Sequence, residues 1–122
     1  MKVVIAGAGE VGTHLARMLS HENHDIVLMD NDPEKLAQIS REVDLMTVTG
    51  SAHSFVDLKE TGLNKADLFI AVTTSEERNV LACAMASYLG VARTIARINN
   101  SEYLQARYRE KLKNMGIHEF IY

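Results

Sequence analysis

Three glycines near the start of the chain, in the run Gly7-Ala8-Gly9-Glu10-Val11-Gly12, restrict it to a small set of folds. Their spacing is G-x-G-x-x-G, which is a weak signal by itself because glycines cluster by chance. In this chain an apolar segment of strand length precedes the run, and a segment with helical periodicity follows it. That context is typical of a turn that binds the phosphates of a dinucleotide. The alternative is an ordinary strand-to-helix turn that is rich in glycine.

Each glycine in this run has a predicted role. Gly7 permits the tight turn out of the strand, Gly9 allows the backbone to approach a pyrophosphate, and Gly12 allows the following helix to pack on the sheet. The free N–H groups at the start of that helix, on Gly9, Glu10 and Val11, are expected to point at the phosphates. The positive end of the helix dipole adds to this attraction. The sequence therefore predicts a phosphate-binding turn at residues 7–12.

An acidic residue stands where the same motif requires one. Asp30 ends the second apolar run, 18 residues past Gly12, close to the interval of about 20 at which a carboxylate binds an adenosine ribose. A carboxylate there accepts ribose hydroxyls and repels a 2′-phosphate, so NAD(H) is predicted to bind better than NADP(H). Asn31 is assigned to the same end of the site. The alternative for Asp30 is a solvated residue that caps the next turn, although Asp32 already explains the start of the next helix.

Strand-like apolar runs alternate with segments of helical period along the entire chain. The predicted strands are Lys2–Ala6, Asp25–Asp30, Leu45–Thr49, Asp67–Thr73, Arg93–Ile98 and Ile117–Tyr122. The predicted helices span 11–20, 33–41, 54–62, 74–89 and 101–115. Such alternation predicts right-handed crossovers and a parallel sheet with helices on both faces. With a glycine turn after the first strand, the expected fold is a Rossmann-like, doubly wound α/β sheet of strand order 3-2-1-4-5-6, in a single domain over residues 1–122.

Ligands of such folds bind in the crevice at the carboxyl ends of the strands. Three further groups are therefore assigned to the site: Gly50, Ser51 and Ala52 after the third strand, Thr73 and Thr74 after the fourth, and Arg97 late in the fifth. The first group is expected beside the adenine, and the threonine hydroxyls at the centre of the ligand. Arg97 is a cation in an otherwise apolar strand, and a buried charge needs a partner. On the residues alone, an acidic side chain and a ligand phosphate are equally good partners for it.

Composition excludes several classes of function. A chain of 122 residues, 47% of them hydrophobic, supports one core but not a nucleotide domain plus a separate catalytic domain. An enzyme that acts through this chain alone is therefore not expected. The net charge of −3, without a basic stripe, argues against nucleic acid as a partner, and no apolar run approaches the roughly 20 residues of a membrane span. The one cysteine, Cys83, is predicted to be a small buried hydrophobe, and the histidines show no metal-ligand spacing with it.

Several segments of the chain together resemble one family. They are Val3–Gly12, Val27–Asp30, Thr49–Ala52 and Ala71–Asn79, and Ala96-Arg97-Ile98 followed by Tyr103 extends the likeness into the fifth strand and beyond. The family is that of the KTN or RCK regulatory domains of potassium transport, in particular the N-terminal domains of the TrkA family. The run Glu76-Glu77-Arg78-Asn79 discriminates best, because dehydrogenases have no such requirement after the fourth strand.

The resemblance implies a regulatory function without catalysis. Members of the family bind NAD(H), ATP or ADP, form dimers or larger homo-oligomers, and dock on a membrane-embedded potassium channel or transporter subunit. By this likeness Gly7–Gly12 would hold the phosphates and Asp30 the ribose, while Thr73 and Thr74 would lie along the ligand and Arg97 would reach the phosphates. The chain is then expected in the cytoplasm, held at the inner face of the membrane by its partner and not inserted. Because family chains continue into a second domain, residues 1–122 are expected to be one domain of a longer protein.

Two other functions stay open on the residues alone. The first is the cofactor-binding domain of an NAD-dependent dehydrogenase whose substrate domain is missing from this chain. The second is a structural Rossmann module without a ligand. Asp30 suits any adenosine ribose, so it does not decide between NAD(H), ATP and ADP. In the last helix, Tyr103, Leu104, Tyr108 and Leu112 recur at nearly helical spacing. One face of that helix must cover the sheet, and an excess of apolar surface would form a dimer contact.

Overall fold

The computed structural model of the chain describes all residues from Met1 to Tyr122 and contains one six-stranded sheet. Its strands are β1 (Lys2–Ala6), β2 (Asp25–Asp30), β3 (Met46–Thr49), β4 (Leu68–Ala71), β5 (Arg93–Arg97) and β6 (Glu119–Ile121). All neighbouring strands are parallel, and their order across the sheet is β3-β2-β1-β4-β5-β6. The predicted Rossmann-like fold and its strand order are confirmed.

Five α-helices connect the strands. They are α1 (Glu10–His21), α2 (Pro33–Ser40), α3 (Phe55–Glu60), α4 (Glu76–Tyr88) and α5 (Ala106–Asn114). Short 3-10 turns at Leu63–Lys65 and Ser101–Leu104 precede β4 and α5 respectively. None of these helices combines the length and the apolar composition that crossing a membrane requires.

Successive side chains of β1 enter two separate cores, because they point to opposite faces of the sheet. Val3 and Ile5 lie in the core beneath α1 and α2, whereas Val4 and Ala6 lie in the core beneath α3 and α4. All four side chains are fully buried. A strand that is covered on both faces must be apolar at every position, which explains the run that follows Lys2. The central position of β1 places the glycine turn in the middle of one edge of the sheet.

The fourth helix begins two residues later than its predicted start. The predicted segment starts at Thr74, but Ser75 is the N-cap and Glu76 the first helical residue. The Oγ of Ser75 accepts the N–H of Arg78 in the first turn at 3.2 Å. The preceding strand also ends early, at Ala71 rather than at Thr73. The reason is that the N–H of Thr73 donates to the side chain of Asn79. The N–H of Val72 still donates to the carbonyl oxygen of Ala6 on β1 at 2.9 Å, so the backbone passes from the sheet to α4 at Thr73.

The last helix differs most from its prediction. The segment 101–115 is divided into a 3-10 turn and α5, because Gln105 between them is extended, with a ψ of 132°. No residue of α5 is fully buried. Tyr103 and Leu112 are half-buried, whereas Leu104 and Tyr108 are exposed. Half of the predicted apolar face therefore lies on the surface of this chain.

The outer strand β6 is three residues long and carries a charged side chain that bridges two others. The carboxylate of Glu119 lies 3.3 Å from the guanidinium of Arg93 on β5 and 3.0 Å from that of Arg109 on α5. All three side chains are substantially exposed. Ion pairs at the surface add little to the free energy of unfolding, so their main effect is to place both signs of charge along this edge.

Cys83 is fully buried, as predicted, and its Sγ lies 3.4 Å from the carbonyl oxygen of Ile95. Burial raises the pKa of the thiol from 9.0 to about 12, because the thiolate would lose its hydration. Since the thiolate is the reactive form, we expect iodoacetamide at about pH 8 to leave the folded chain unmodified and to alkylate it in urea. Intact-mass spectrometry measures both products. Rapid alkylation of the folded chain would contradict this burial.

Candidate functional site

A cavity of about 410 Å³ opens at the carboxyl ends of the central strands. Its volume lies within the range of roughly 300–1,000 Å³ that is typical of ligand sites. Twelve of the fourteen residues assigned from the sequence line it: Gly7, Gly9, Glu10, Val11, Asp30, Asn31, Gly50, Ser51, Ala52, Thr73, Thr74 and Arg97. The turns after four different strands therefore meet in one crevice, as the strand order requires. Met29 and Val72 contribute apolar surface to its wall.

The other two assigned residues, Ala8 and Gly12, do not line the cavity. Ala8 is only 4% exposed, and its side chain belongs to the core beneath α1 and α2. Gly12 faces the turn that precedes it, since a Cβ built on Gly12 would lie 1.7 Å from the carbonyl oxygen of Gly7. Gly12 thus serves the close packing of α1 on the turn and is not exposed to a ligand.

The glycine turn combines one strained position with one open position. Gly7 has a φ of +113°, in the left-handed region that favours glycine, and a Cβ there would lie 3.0 Å from the backbone of Val72 and Thr73. Its N–H donates to the carbonyl oxygen of Met29 at 2.8 Å, which ties the turn to β2. Gly9 differs, because no atom lies within 4 Å of the position that its Cβ would occupy. The turn therefore leaves room beside Gly9 for a group that approaches the backbone closely.

The N-terminus of α1 faces this room without a side-chain cap. Gly9 is its N-cap and supplies no side-chain acceptor, whereas Asp32 caps α2 and Ser75 caps α4. The backbone N–H of Thr13 donates to the carbonyl oxygen of Gly9 at 3.0 Å, and the N–H groups that precede it in the first turn have no intrahelical acceptor. Unpaired N–H groups and the positive end of the dipole make such a terminus an anion site.

Asp30 holds two parts of the crevice together. Its Oδ2 accepts the N–H of Ala8 at 2.7 Å and its Oδ1 accepts the N–H of Asp32 at 2.8 Å. The side chain therefore does cap the turn after β2, which was the alternative interpretation of this residue. It nevertheless lines the cavity, and each carboxylate oxygen keeps a further acceptor site. The structural contacts of Asp30 leave it able to accept hydroxyl groups.

The segment after β3 is held in place by an acidic residue of α3. Asp57 lies in the first turn of that helix, where the Oγ of Ser54 accepts its N–H at 3.2 Å. The carboxylate of Asp57 accepts the N–H of Ser51 at 2.8 Å. A Cβ on Gly50 would lie 2.8 Å from the same carboxyl group. Asp57 therefore fixes the wall of the cavity at residues 50–51.

Arg97 lines the cavity from β5 and is half-buried. No acidic side chain lies within salt-bridge distance of it, since the ion pairs of the chain involve other residues. The structural ion pair that the sequence left open as a partner for Arg97 is therefore not formed. A half-buried guanidinium without an acidic partner gains most from an anion in the cavity.

Sequence reasoning missed two cations of the crevice, Lys35 and Arg78. Each is the third residue of its helix, α2 or α4. Helices that follow β2 and β4 begin at the same edge of the sheet as the glycine turn, so the positions of these helix starts were the available signal. With Arg97 they give three cations against the two carboxylates of Glu10 and Asp30. This excess of positive charge suits an anionic ligand.

The strand order and the crevice define a Rossmann-type domain with a glycine-rich turn at the start of its first helix. The TrkA-N domain family matches residues 3–122, and the chain belongs to that family.

The Trk system potassium uptake protein TrkA of Haemophilus influenzae is 47% identical over 115 residues, which is 93% of this chain and 25% of that protein. The TrkA homolog of Archaeoglobus fulgidus is 39% identical over 85% of this chain and 23% of its own length. The chain thus spans about a quarter of the length of these relatives.

Solved structures share the fold at low sequence identity. The TrkA-N domain of the inner membrane protein ybaL from Escherichia coli superposes with a TM-score of 0.83 at 16% identity, over 98% of this chain and 85% of that one. The GsuK channel, solved in complex with NAD, superposes with a TM-score of 0.80 at 19% identity, over 98% of this chain and 21% of the channel. A structure of GsuK bound to ADP gives a TM-score of 0.79.

Proposed function

We propose that residues 1–122 form a nucleotide-binding regulatory domain of a potassium-uptake system, which binds NAD(H), or else ATP or ADP, and does not catalyse a reaction. The observation that carries the proposal is the cavity in which an open glycine turn, an uncapped helix N-terminus, Asp30 and Arg97 converge. An adenine nucleotide carries the complementary groups, namely ribose hydroxyls and phosphates. No single residue of the set would be persuasive without the others.

The donors and acceptors of the crevice fit such a ligand end to end. Asp30 at the end of β2 would accept the hydroxyls of an adenosine ribose, and residues 50–52 after β3 would border the adenine. The N–H groups of Gly9, Glu10 and Val11 would receive the phosphates. Beyond the turn, Thr73 and Thr74 would lie along the ligand, with the guanidinium of Arg97 directed to the phosphates.

The relatives support the regulatory part of the proposal. The chain belongs to the TrkA-N family, and the matching proteins are potassium uptake proteins of the Trk system. One solved relative of the same fold is a channel bound to NAD, and it also binds ADP. A potassium-uptake regulator that responds to an adenine nucleotide is the function most consistent with these relatives and with the crevice.

Regulation would follow from a difference in affinity. A bound nucleotide shifts a transporter between two conformations only as far as it binds the two states of the domain differently. The domain would act from the cytoplasm, docked on a membrane-embedded potassium transporter or channel subunit. It would also pair with a second copy of itself, for which the exposed side chains Leu104 and Tyr108 offer apolar surface.

Isothermal titration calorimetry tests the binding part of the proposal. We expect NADH, NAD, ATP or ADP to bind this chain at one site, and NADPH to bind at least about tenfold more weakly than NADH, because its 2′-phosphate meets the carboxylate of Asp30. The same titration with adenosine 2′-phosphate measures that repulsion separately. If none of NADH, NAD, ATP and ADP binds, the sensor function is wrong, and the glycine run is only a turn between strand and helix.

A second measurement separates a regulator from a dehydrogenase. The full-length protein that contains this domain is mixed with NADH and a panel of small carbonyl compounds, and the loss of NADH absorbance is followed. We expect binding without oxidation. Steady oxidation of NADH with any of these compounds would instead identify the chain as the cofactor domain of a dehydrogenase.

A further inference from the structure

Asn79 is a buried polar residue that does not line the cavity, yet it bonds to two residues that do. It is 1% exposed and lies in the first turn of α4. Its Oδ1 accepts the N–H of Thr73 at 2.9 Å and the hydroxyl of Thr73 at 2.6 Å. Its Nδ2 donates to the carbonyl oxygen of Thr73 at 3.0 Å and to that of Arg97 at 2.9 Å. The amide group is thus fully used in joining the end of β4 to the end of β5.

Glu76, one turn earlier on the same helix, makes a parallel connection. Its Oε2 accepts the N–H of Asn99 at 2.5 Å and the N–H of Asn100 at 2.6 Å. These two residues follow Arg97 after the end of β5. The backbone on the carboxyl side of Arg97 is therefore held by two side chains of α4. Asn79 holds the carbonyl of Arg97, and Glu76 holds the amides of Asn99 and Asn100.

Neither connection belongs to the ladder between β4 and β5. These two strands pair in register from Leu68 to Ala71, and Arg97 pairs on its other side with Ile121 of β6. The two side chains of α4 act on the backbone beyond the β4–β5 pairing, where it borders the cavity. Their effect is directed at the position of Thr73 and Arg97 and not at the core.

We infer that Asn79 and Glu76 are positioning residues for the nucleotide site. They set the distance between the Thr73 wall and the Arg97 wall, and so fix the half of the crevice that lies away from Asp30. This inference rests on the proposed nucleotide-binding function. It also gives the run Glu76–Asn79, which distinguishes this sequence from dehydrogenases, a physical role in the site.

The inference predicts an effect that depends on the length of the ligand. Strands β2 and β5 are three positions apart, a separation of about 14 Å at roughly 4.8 Å per strand. A ligand anchored at Asp30 must extend past the glycine turn to reach Arg97. AMP ends at the turn, whereas NADH continues beyond it, so only NADH depends on the walls that Asn79 and Glu76 position.

The test compares the affinities of NADH and AMP in four forms of the 122-residue chain by calorimetry. Asn79→Asp keeps the shape of the side chain and an acceptor for Thr73, but replaces the donor to the carbonyl of Arg97 by an oxygen that repels it. Glu76→Ala removes the acceptor for the two amides and, being partly exposed, leaves the core intact. Thr94→Val is the matched control, because Thr94 is buried on β5 and its hydroxyl donates to the carbonyl of Gly116, at the end of the strand away from the cavity.

In the wild type both ligands are expected to bind, NADH more tightly. Asn79→Asp is expected to reduce the preference for NADH over AMP by about tenfold or more, because Arg97 would lose its charged contact with NADH. Glu76→Ala is expected to reduce the same preference. Thr94→Val is expected to lower the melting temperature and to leave the preference unchanged.

Two results would overturn the inference while leaving the nucleotide site in place. One is an unchanged preference for NADH over AMP in Glu76→Ala and in any folded Asn79→Asp. The other is a reduction of that preference in Thr94→Val equal to the reduction in the two α4 variants. If the wild type binds neither ligand, the proposed function fails, and the inference fails with it.

Discussion

Alanine at position 9 is expected to weaken the binding of NADH by about ten- to a hundredfold and to leave the fold intact. The backbone of Gly9 has a φ of −80°, which alanine adopts freely, and no atom lies within 4 Å of the new methyl group. The free energy of unfolding should therefore change by less than about 1 kcal/mol, as for alanine in place of glycine at an N-cap. The methyl group would instead occupy the room in which a phosphate approaches the turn. Calorimetry gives the affinity, and denaturation in urea gives the stability.

The matched control is the same substitution three residues later, which is expected to have the opposite pattern. A methyl group on Gly12 would lie 1.7 Å from the carbonyl oxygen of Gly7 and 2.8 Å from its carbon, so α1 must move away from the turn. Gly12→Ala should cost about 3 kcal/mol or more in stability, because the clash is with backbone that cannot rotate away. If Gly9→Ala binds NADH as well as the wild type does, phosphates do not approach the turn and the proposed site is wrong.

The second large effect is expected at Asp30. Asp30→Ala should weaken the binding of NADH, ATP and ADP by about a hundredfold, because two hydrogen bonds to a charged acceptor are lost. It should hardly change the already weak binding of NADPH, so the preference for NADH over NADPH should disappear or be reversed. Calorimetric titration with each nucleotide measures both quantities.

Asp32→Ala provides the comparison for this experiment. Asp32 is two residues away, and its carboxylate accepts the N–H of Glu34 at 3.0 Å as the cap of α2. Its loss should cost about 1 kcal/mol of stability and leave the nucleotide affinity almost unchanged. Equal losses of affinity in Asp30→Ala and Asp32→Ala would mean that the effect comes from the turn after β2 and not from a contact with ribose.

The sheet, its strand order and the position of the crevice could be predicted from the sequence, because each follows from a pattern with few physical explanations. The spacing of Gly7, Gly9 and Gly12 together with the regular alternation of strands and helices predicted the sheet and its strand order, because right-handed crossovers leave few other arrangements. The same topology predicted that the turns after four strands meet in one crevice. The topology did not predict which side chains of the helices line the crevice. Lys35 and Arg78 read as ordinary exposed residues until the starts of α2 and α4 are known.

Side-chain to backbone contacts were the other part that could not be predicted. Asn79 reads as one polar residue in an Ala-rich helix, and nothing in its neighbours indicates that it bonds to Arg97, 18 residues away. Such contacts depend on strand ends that vary by a residue or two, as the early end of β4 illustrates. The sequence could not decide between an acidic side chain and a ligand phosphate as the partner of Arg97 for the same reason. Whether an acidic side chain reaches Arg97 depends on distances that the sequence does not contain.

The short edge strand β6 affects how this domain meets other copies of itself. An open strand edge invites a strand from a neighbouring molecule to extend the sheet, which is a common route to aggregation. Here the exposed edge has three residues, and a carboxylate bridged by two guanidinium groups borders it. An incoming strand would have to displace these charges for very few backbone hydrogen bonds. Growth of the sheet across β6 is therefore disfavoured.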